Sequence, residues 1–315
     1  MRFIDSFKEG ESINGIYLVK SKKSDLTKTG KPYEKLVLTD KTGSVDSMIW
    51  DPNSPGIEEV DVLDYIMVNA IVNNYQGANQ LNIKRARKAG EGEYNPADYL
   101  PVSERDIEEM WKEFTDYIET VKNPYLNRLL KTFFKDDEEF VKAFKKSSAA
   151  KSVHHGFVGG LLEHSLSVTN MCDFYAKAYP MINRDLLISV AMLHDIGKVR
   201  ELSDFPQNDY TDEGQLVGHI VMGAHMVMEK MENIPDFPKK LTSEVTHCIL
   251  AHHGEYEFGS PKKPALMEAV ALNFADNTDA KMEIMKEVFN ATNEKGWLGF
   301  NRLLDSNIRK TSDME

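Results

Sequence analysis

Cysteine is almost absent from this chain of 315 residues: Cys172 and Cys248 are the only two, both inside segments of helical spacing. Two thiols cannot build a disulfide framework, and they supply no thiolate cluster for structural zinc. No apolar run approaches the length needed to cross a bilayer, and the charged start from Arg2 to Glu9 lacks the unbroken apolar core of a signal peptide. A reducing, cytoplasmic setting with no membrane partner is the expectation. Internal repeats and low-complexity tracts are also missing, which leaves ordinary globular domains, two or three at this length.

Net positive charge is lacking as well. The formal charge is -12, which counts against a nucleic-acid partner, because affinity for phosphate backbones comes largely from Lys and Arg. The deficit is uneven, however. Residues 1–90 hold 13 basic and 12 acidic side chains, and the remainder holds 25 and 38. Acidity therefore belongs to the second part, where bound divalent ions would add positive charge of their own.

What is present first is strand patterning. Alternating and β-branched residues run through 13–19, 33–40, 44–50, 64–73 and 80–86, with turns at Asp40-Lys41-Thr42-Gly43 and Asn74-Tyr75-Gln76-Gly77. Five strands over residues 1–90 predict an OB-fold β-barrel. Such barrels bind single strands by stacking bases on exposed aromatics beside a basic groove. Tyr33, Trp50 and Tyr75 are the candidate platforms, with Lys31, Lys35, Lys84 and Arg85 as the candidate phosphate contacts. The competing reading makes Trp50 a core residue and the lysines solubilising groups on loops.

A polar, Gly-containing break at 89–96 precedes a predicted helical connector over 91–150. Ser103 with Asp106 resembles a capping box, and Ile107, Met110, Trp111, Phe114, Ile118 and Val121 share one helical face. Two shorter helices are expected over 125–134 and 137–144.

Residues 151–315 read as an all-α bundle with a helical tail, with helices over 161–178, 185–194, 215–231, 239–252 and 264–280. At or near the ends of these segments, or within them, stand His164, His194, Asp195, His219, His252, His253 and Asp276. One histidine on an apolar helix is usually a core residue, but an ordered series of imidazoles and carboxylates suits divalent metal. Manganese, iron, cobalt, zinc and magnesium remain open, with magnesium alone disfavoured by the histidine count.

His194-Asp195-Ile196-Gly197-Lys198 closes an apolar helix from Leu186 to Leu193 and resembles the signature of the HD phosphohydrolase superfamily. The resemblance implies two metal ions bridged by Asp195. One would take His164, His194 and Asp276, and the other His219, His252 and His253. Two ions roughly 3.5 to 4 Å apart would generate a hydroxide and stabilise the attacking and leaving oxygens of a phosphodiester. Lys198 would offset charge on the phosphoryl oxygens, and His155 is the candidate acid or phosphate contact, with helix capping or packing as its alternative.

The segment His154-His155-Gly156-Phe157-Val158-Gly159-Gly160-Leu161-Leu162-Glu163-His164, behind a barrel and a helical connector, is similar to the YhaM family of 3'-to-5' exoribonucleases. That likeness implies a metal-dependent, typically manganese-assisted, enzyme that shortens single-stranded RNA, and sometimes single-stranded DNA, to nucleoside monophosphates. Two other readings remain. One is an HD nucleotidase or small phosphodiesterase with a regulatory OB domain. The other is a non-catalytic single-strand-binding replication accessory protein. Trp297, Leu298, Phe300, Leu303 and Leu304 are apolar enough to pack on the domain or on another subunit of a homo-oligomer.

Overall fold

The computed structural model describes residues 2–312 apart from 76, 96, 97, 101, 152–154, 291 and 293. Gln76 of the expected turn and His154 of the histidine-glycine segment lie outside the described residues. The chain forms two compact units, Met1–Val102 and Ser103–Glu315.

The first unit is a closed barrel of β1 (Ser12–Leu26), β2 (Pro32–Asp40), β3 (Gly43–Ile49), β4 (Tyr65–Tyr75) and β5 (Ala78–Lys88). The strand order is β1-β2-β3-β5-β4, and β4 returns to β1. That order, with β3 and β5 parallel, is the OB-fold. β1 closes the barrel by serving two neighbours: Ser12 to Leu18 pair with β4, and Leu18 to Leu26 pair with β2 across a bulge between Val19 and Ser21. Leu36, Leu38, Ile49, Ile66, Val68 and Leu81 alternate inward and are fully buried, so the period-two pattern does fill one core.

The second unit begins with α1 (Ile107–Thr120), α2 (Pro124–Phe134) and α3 (Glu138–Lys146). These helices were expected as a connector, yet Phe114, Phe134 and Phe144 share one core with Leu162, Leu187 and Val245 further along. The 91–150 boundary is thus replaced by a division after Val102. The physical reason is the width of the apolar faces on α1 and α2, which must be covered. The cap of α1 also differs from expectation. Asp106 accepts from the N–H groups of Glu108 and Glu109, whereas Ser103 Oγ is engaged by Glu163.

The bundle continues with α4 (Gly160–Ala178), α5 (Arg184–Leu193), α6 (Lys198–Glu201), α7 (Asp212–Leu216), α8 (His219–Glu232), α9 (Lys239–Ala251) and α10 (Met267–Asn290). The helix predicted over 215–231 is broken at Gly218, whose φ of 77° lies in the left-handed region that glycine tolerates. The break makes His219 the first residue of α8. The C-terminal tail is not wholly helical either. β6 (Trp297–Asn301) and β7 (Ser306–Arg309) form a two-stranded hairpin. Gly296 and Gly299, with φ of 84° and 95°, and a turn in which Asn301 accepts from Leu303 and Leu304 favour strand over helix there.

Candidate metal centre

Five helices deliver the ligand series to one point. His164 lies one turn into α4; His194 and Asp195 follow α5; His219 opens α8; His252 and His253 follow α9; Asp276 sits midway along α10. Asp195 and the His194 and His252 rings are buried at the centre. The two oxygens of Asp195 face different groups. Its Oδ2 lies 3.4 Å from His164 Nε2 and 3.5 Å from His194 Nε2, while Oδ1 lies 3.5 Å from His219 Nε2 and 3.6 Å from His252 Nε2. Asp276 Oδ1 stands 3.2 Å from His164 Nε2, on the first side. Ligand-capable atoms accordingly cluster as His164, His194 and Asp276, and as His219, His252 and His253.

Hydrogen bonding on the far side of each ring explains the convergence. His194 Nδ1 donates to Ala191 O, His252 Nδ1 to Ile249 O and His253 Nδ1 to Phe258 O. Carbonyls only accept, so these Nδ1 atoms carry protons, and in the neutral ring Nε2 keeps its lone pair. His164 Nδ1 meets Asp279 Oδ2 at 2.7 Å, and His219 Nδ1 meets Glu201 Oε1 at 2.8 Å. All five rings are oriented the way metal-ligating histidines are oriented by outer partners. Asp195 Oδ1, His219 Nε2 and His252 Nε2 are buried and have no hydrogen-bond partner. Orphaned polar atoms of this kind are costly unless an ion satisfies them, so the residues fit divalent metal.

Electrostatics point the same way. Burial opposes ionisation of Asp195, but Lys198 and the surrounding histidines outweigh it and hold the carboxyl well below its usual range. Asp276 is likewise held low against burial, chiefly by His164. Burial pushes His194 and His253 down to about 4, so both rings are neutral. For His164 and His252 burial is outweighed by the carboxylates of Asp195 and Asp276, which favour a positive charge in their midst.

The other expected site residues fall as follows. Lys198 Nζ lies 2.7 Å from Asp195 Oδ2 and on the wall of the adjoining cavity. His155 is buried, with a φ of 60°, and its Nε2 meets the same Asp279 oxygen as His164, at 2.9 Å. His155, His164 and Asp279 form a third cluster that is closed by these direct hydrogen bonds. In the first unit Trp50 is 51% and Tyr75 58% exposed, which corrects the core reading of Trp50. Tyr33 lies beside Trp50 with ring centroids 5.6 Å apart. Lys31 precedes β2, and the exposed Lys35 ammonium pairs with Asp46 at 2.7 Å. Met48 faces Asn82 across the parallel β3–β5 pair, and two residues further stand Trp50 and Lys84. Arg85 packs its stem beside Gly56.

Two acidic residues of the site escaped the sequence reading, Asp279 and Glu201. A signal existed for Asp279, which is three residues beyond Asp276 and hence on the same helical face. None existed for Glu201, since its partner His219 is distant in sequence.

The HD domain family matches residues 161–281. A 3'-5' exoribonuclease YhaM of Geobacillus sp. (strain WCH70) is 36% identical over 281 residues, covering 89% of this chain and 85% of the relative. The chain belongs to the YhaM family. The YhaM of Bacillus subtilis (strain 168) is 35% identical over 88% of this chain and 87% of its own length. That of Listeria monocytogenes serotype 4b (strain CLIP80459) is 35% identical, with 92% of both chains covered. With YhaM relatives matched nearly end to end, barrel and bundle alike fall within the family, and its HD domain spans every candidate ligand described above.

Proposed function

We propose how this chain carries out the reaction of its family. The protein is a metal-dependent 3'-5' exoribonuclease, a hydrolase of RNA phosphodiesters. Two divalent ions, manganese by preference, would be held by His164, His194 and Asp276 and by His219, His252 and His253, with Asp195 shared between them. When bound, they supply Lewis acidity at the reacting phosphate and lower the pKa of water. The observation that supports this most is the uniform orientation of the five rings, Nε2 inward and Nδ1 donating outward.

The chain's own residues do the rest. Asp279 and Glu201 hold His164 and His219 in their tautomers, and His155 braces Asp279. Lys198 has three donors and gives one to Asp195, so its ammonium keeps others for a phosphoryl oxygen on the cavity wall. In the barrel, Tyr33, Trp50 and Tyr75 would stack bases of single-stranded RNA, or of DNA, while Lys31, Lys35, Lys84 and Arg85 would meet phosphates. Lys31 in the β1–β2 loop, Tyr33 and Lys35 on β2, Trp50 just after β3 and Tyr75 at the end of β4 lie on or beside the strands and loops that OB-folds use for oligonucleotides.

The test is incubation of 5'-labelled single-stranded RNA and DNA with each candidate metal. Shortening by single nucleotides to monophosphates in manganese is expected, and Asp195→Ala should abolish it while strand binding persists. Full turnover by Asp195→Ala with metal present would sink the assignment.

A further inference from the structure

On the exoribonuclease reading above, we infer that the cavity beside the metal centre takes the 3'-terminal nucleotide, with its base held between Phe258 and Leu303. The cavity measures about 450 Å³, within the range of sites for small ligands and suited to one nucleotide at a time. Its lining includes groups of the candidate metal centre, His164, Lys198 and Asp276. Phe258 and Leu303 also line it, and they are 67% and 56% exposed. A nucleotide has the same gradient, from charged phosphate through ribose to a flat apolar base. With the phosphate at the candidate ligands, Phe258 and Leu303 are the exposed apolar groups of the lining left for the base.

Both apolar groups are held in place by the fold. The Phe258 carbonyl accepts the Nδ1–H of His253 at 2.8 Å, so the backbone that positions this ring also positions a candidate metal ligand. The turn around it bends at Gly254 and Gly259, with φ of 81° and 86°. Leu303 stands in the turn of the β6–β7 hairpin, where its N–H donates to Asn301 Oδ1 at 2.9 Å. The hairpin thus presents Leu303 to the cavity. Asn277 and Lys281, four residues apart on α10, line the same space. Among the described residues neither has a hydrogen-bond or ion-pair partner, which leaves an amide for ribose hydroxyls and an ammonium for phosphate. An aromatic face accepts every base, as an enzyme advancing through arbitrary sequence requires.

The test uses 2-aminopurine riboside 5'-monophosphate, a fluorescent mononucleotide that the reaction does not consume, with the full-length, manganese-loaded protein. Saturable quenching by the unaltered protein is expected. Phe258→Ala should weaken the apparent affinity about ten-fold, the scale of one base–aromatic stack. Phe258→Tyr should restore it, and Leu303→Ala should weaken it less. Manganese affinity, measured calorimetrically for each variant, separates loss of stacking from displacement of His253. Unchanged quenching in both alanine variants, or a loss in Phe258→Ala that tracks lost manganese binding, would overturn the inference. Shortening of 5'-labelled RNA by the same preparation tests the exoribonuclease reading separately, since quenching does not depend on cleavage.

Discussion

Each histidine of the centre works through both nitrogens, one facing the ligand cluster and the other bonded outward. Asp279 is the point where this arrangement is most concentrated, because one of its oxygens meets both His155 and His164. Asp279→Ala should therefore lower manganese affinity about 10- to 100-fold, the usual cost of deleting an outer partner of a ligand histidine. Isothermal titration calorimetry reads this directly, and an unchanged affinity would remove Asp279 from the site. Trp50 is the corresponding residue of the barrel. Trp50→Ala should cost about 1 to 3 kcal/mol in binding single-stranded RNA, measured by filter binding, with cleavage of a dinucleotide unaffected.

At the level of elements, caps and breaks decide where the candidate ligands stand. α5 and α9 each end one residue before a candidate ligand histidine, and the left-handed Gly218 starts α8 on another. Gly197 is similarly constrained, since a Cβ there would lie 2.1 Å from the His219 carbonyl oxygen. Stability also has an acid-sensitive cap in Asp137, which accepts from Phe140 N–H and pairs with Lys230 at 2.9 Å. Burial raises its pKa, but these two partners outweigh burial and the net shift is downward. A depressed carboxylate contributes stability above its unfolded pKa and loses it as pH falls through the folded value. Asp137→Ala should cost about 1 kcal/mol at neutral pH, typical of a lost cap, and the difference should shrink as pH falls below the ordinary aspartate value of about 4. Chemical denaturation at several pH values would show it; a gap independent of pH would contradict the cap's ionic character.

For the molecule as a whole, each unit has its own buried core. Removal of residues 1–102 should leave the bundle folded and able to cleave dinucleotides, with the loss confined to long strands. Comparing kcat/KM on a dinucleotide and on a long RNA checks this, and equal losses on both would mean that the barrel does not serve strand capture. No helix of the described residues is long and apolar enough to cross a membrane.

Much of this was legible in the chain itself. Alternation between apolar and polar residues marked all five barrel strands, because a half-buried strand must repeat every two residues. The order His164, His194, Asp195, His219, His252, His253, Asp276 marked the side chains that the fold gathers into one cluster, because an ordered series of imidazole and carboxylate suits metal better than a core. Tertiary structure alone decided that α1–α3 belong to the bundle, since an apolar face does not declare which partner covers it. It alone brought Glu201 to His219, Asp279 to His155, and Phe258 and Leu303 to one cavity. Those pairings depend on helix ends and turns meeting across long sequence separations, and local pattern carries no record of such meetings.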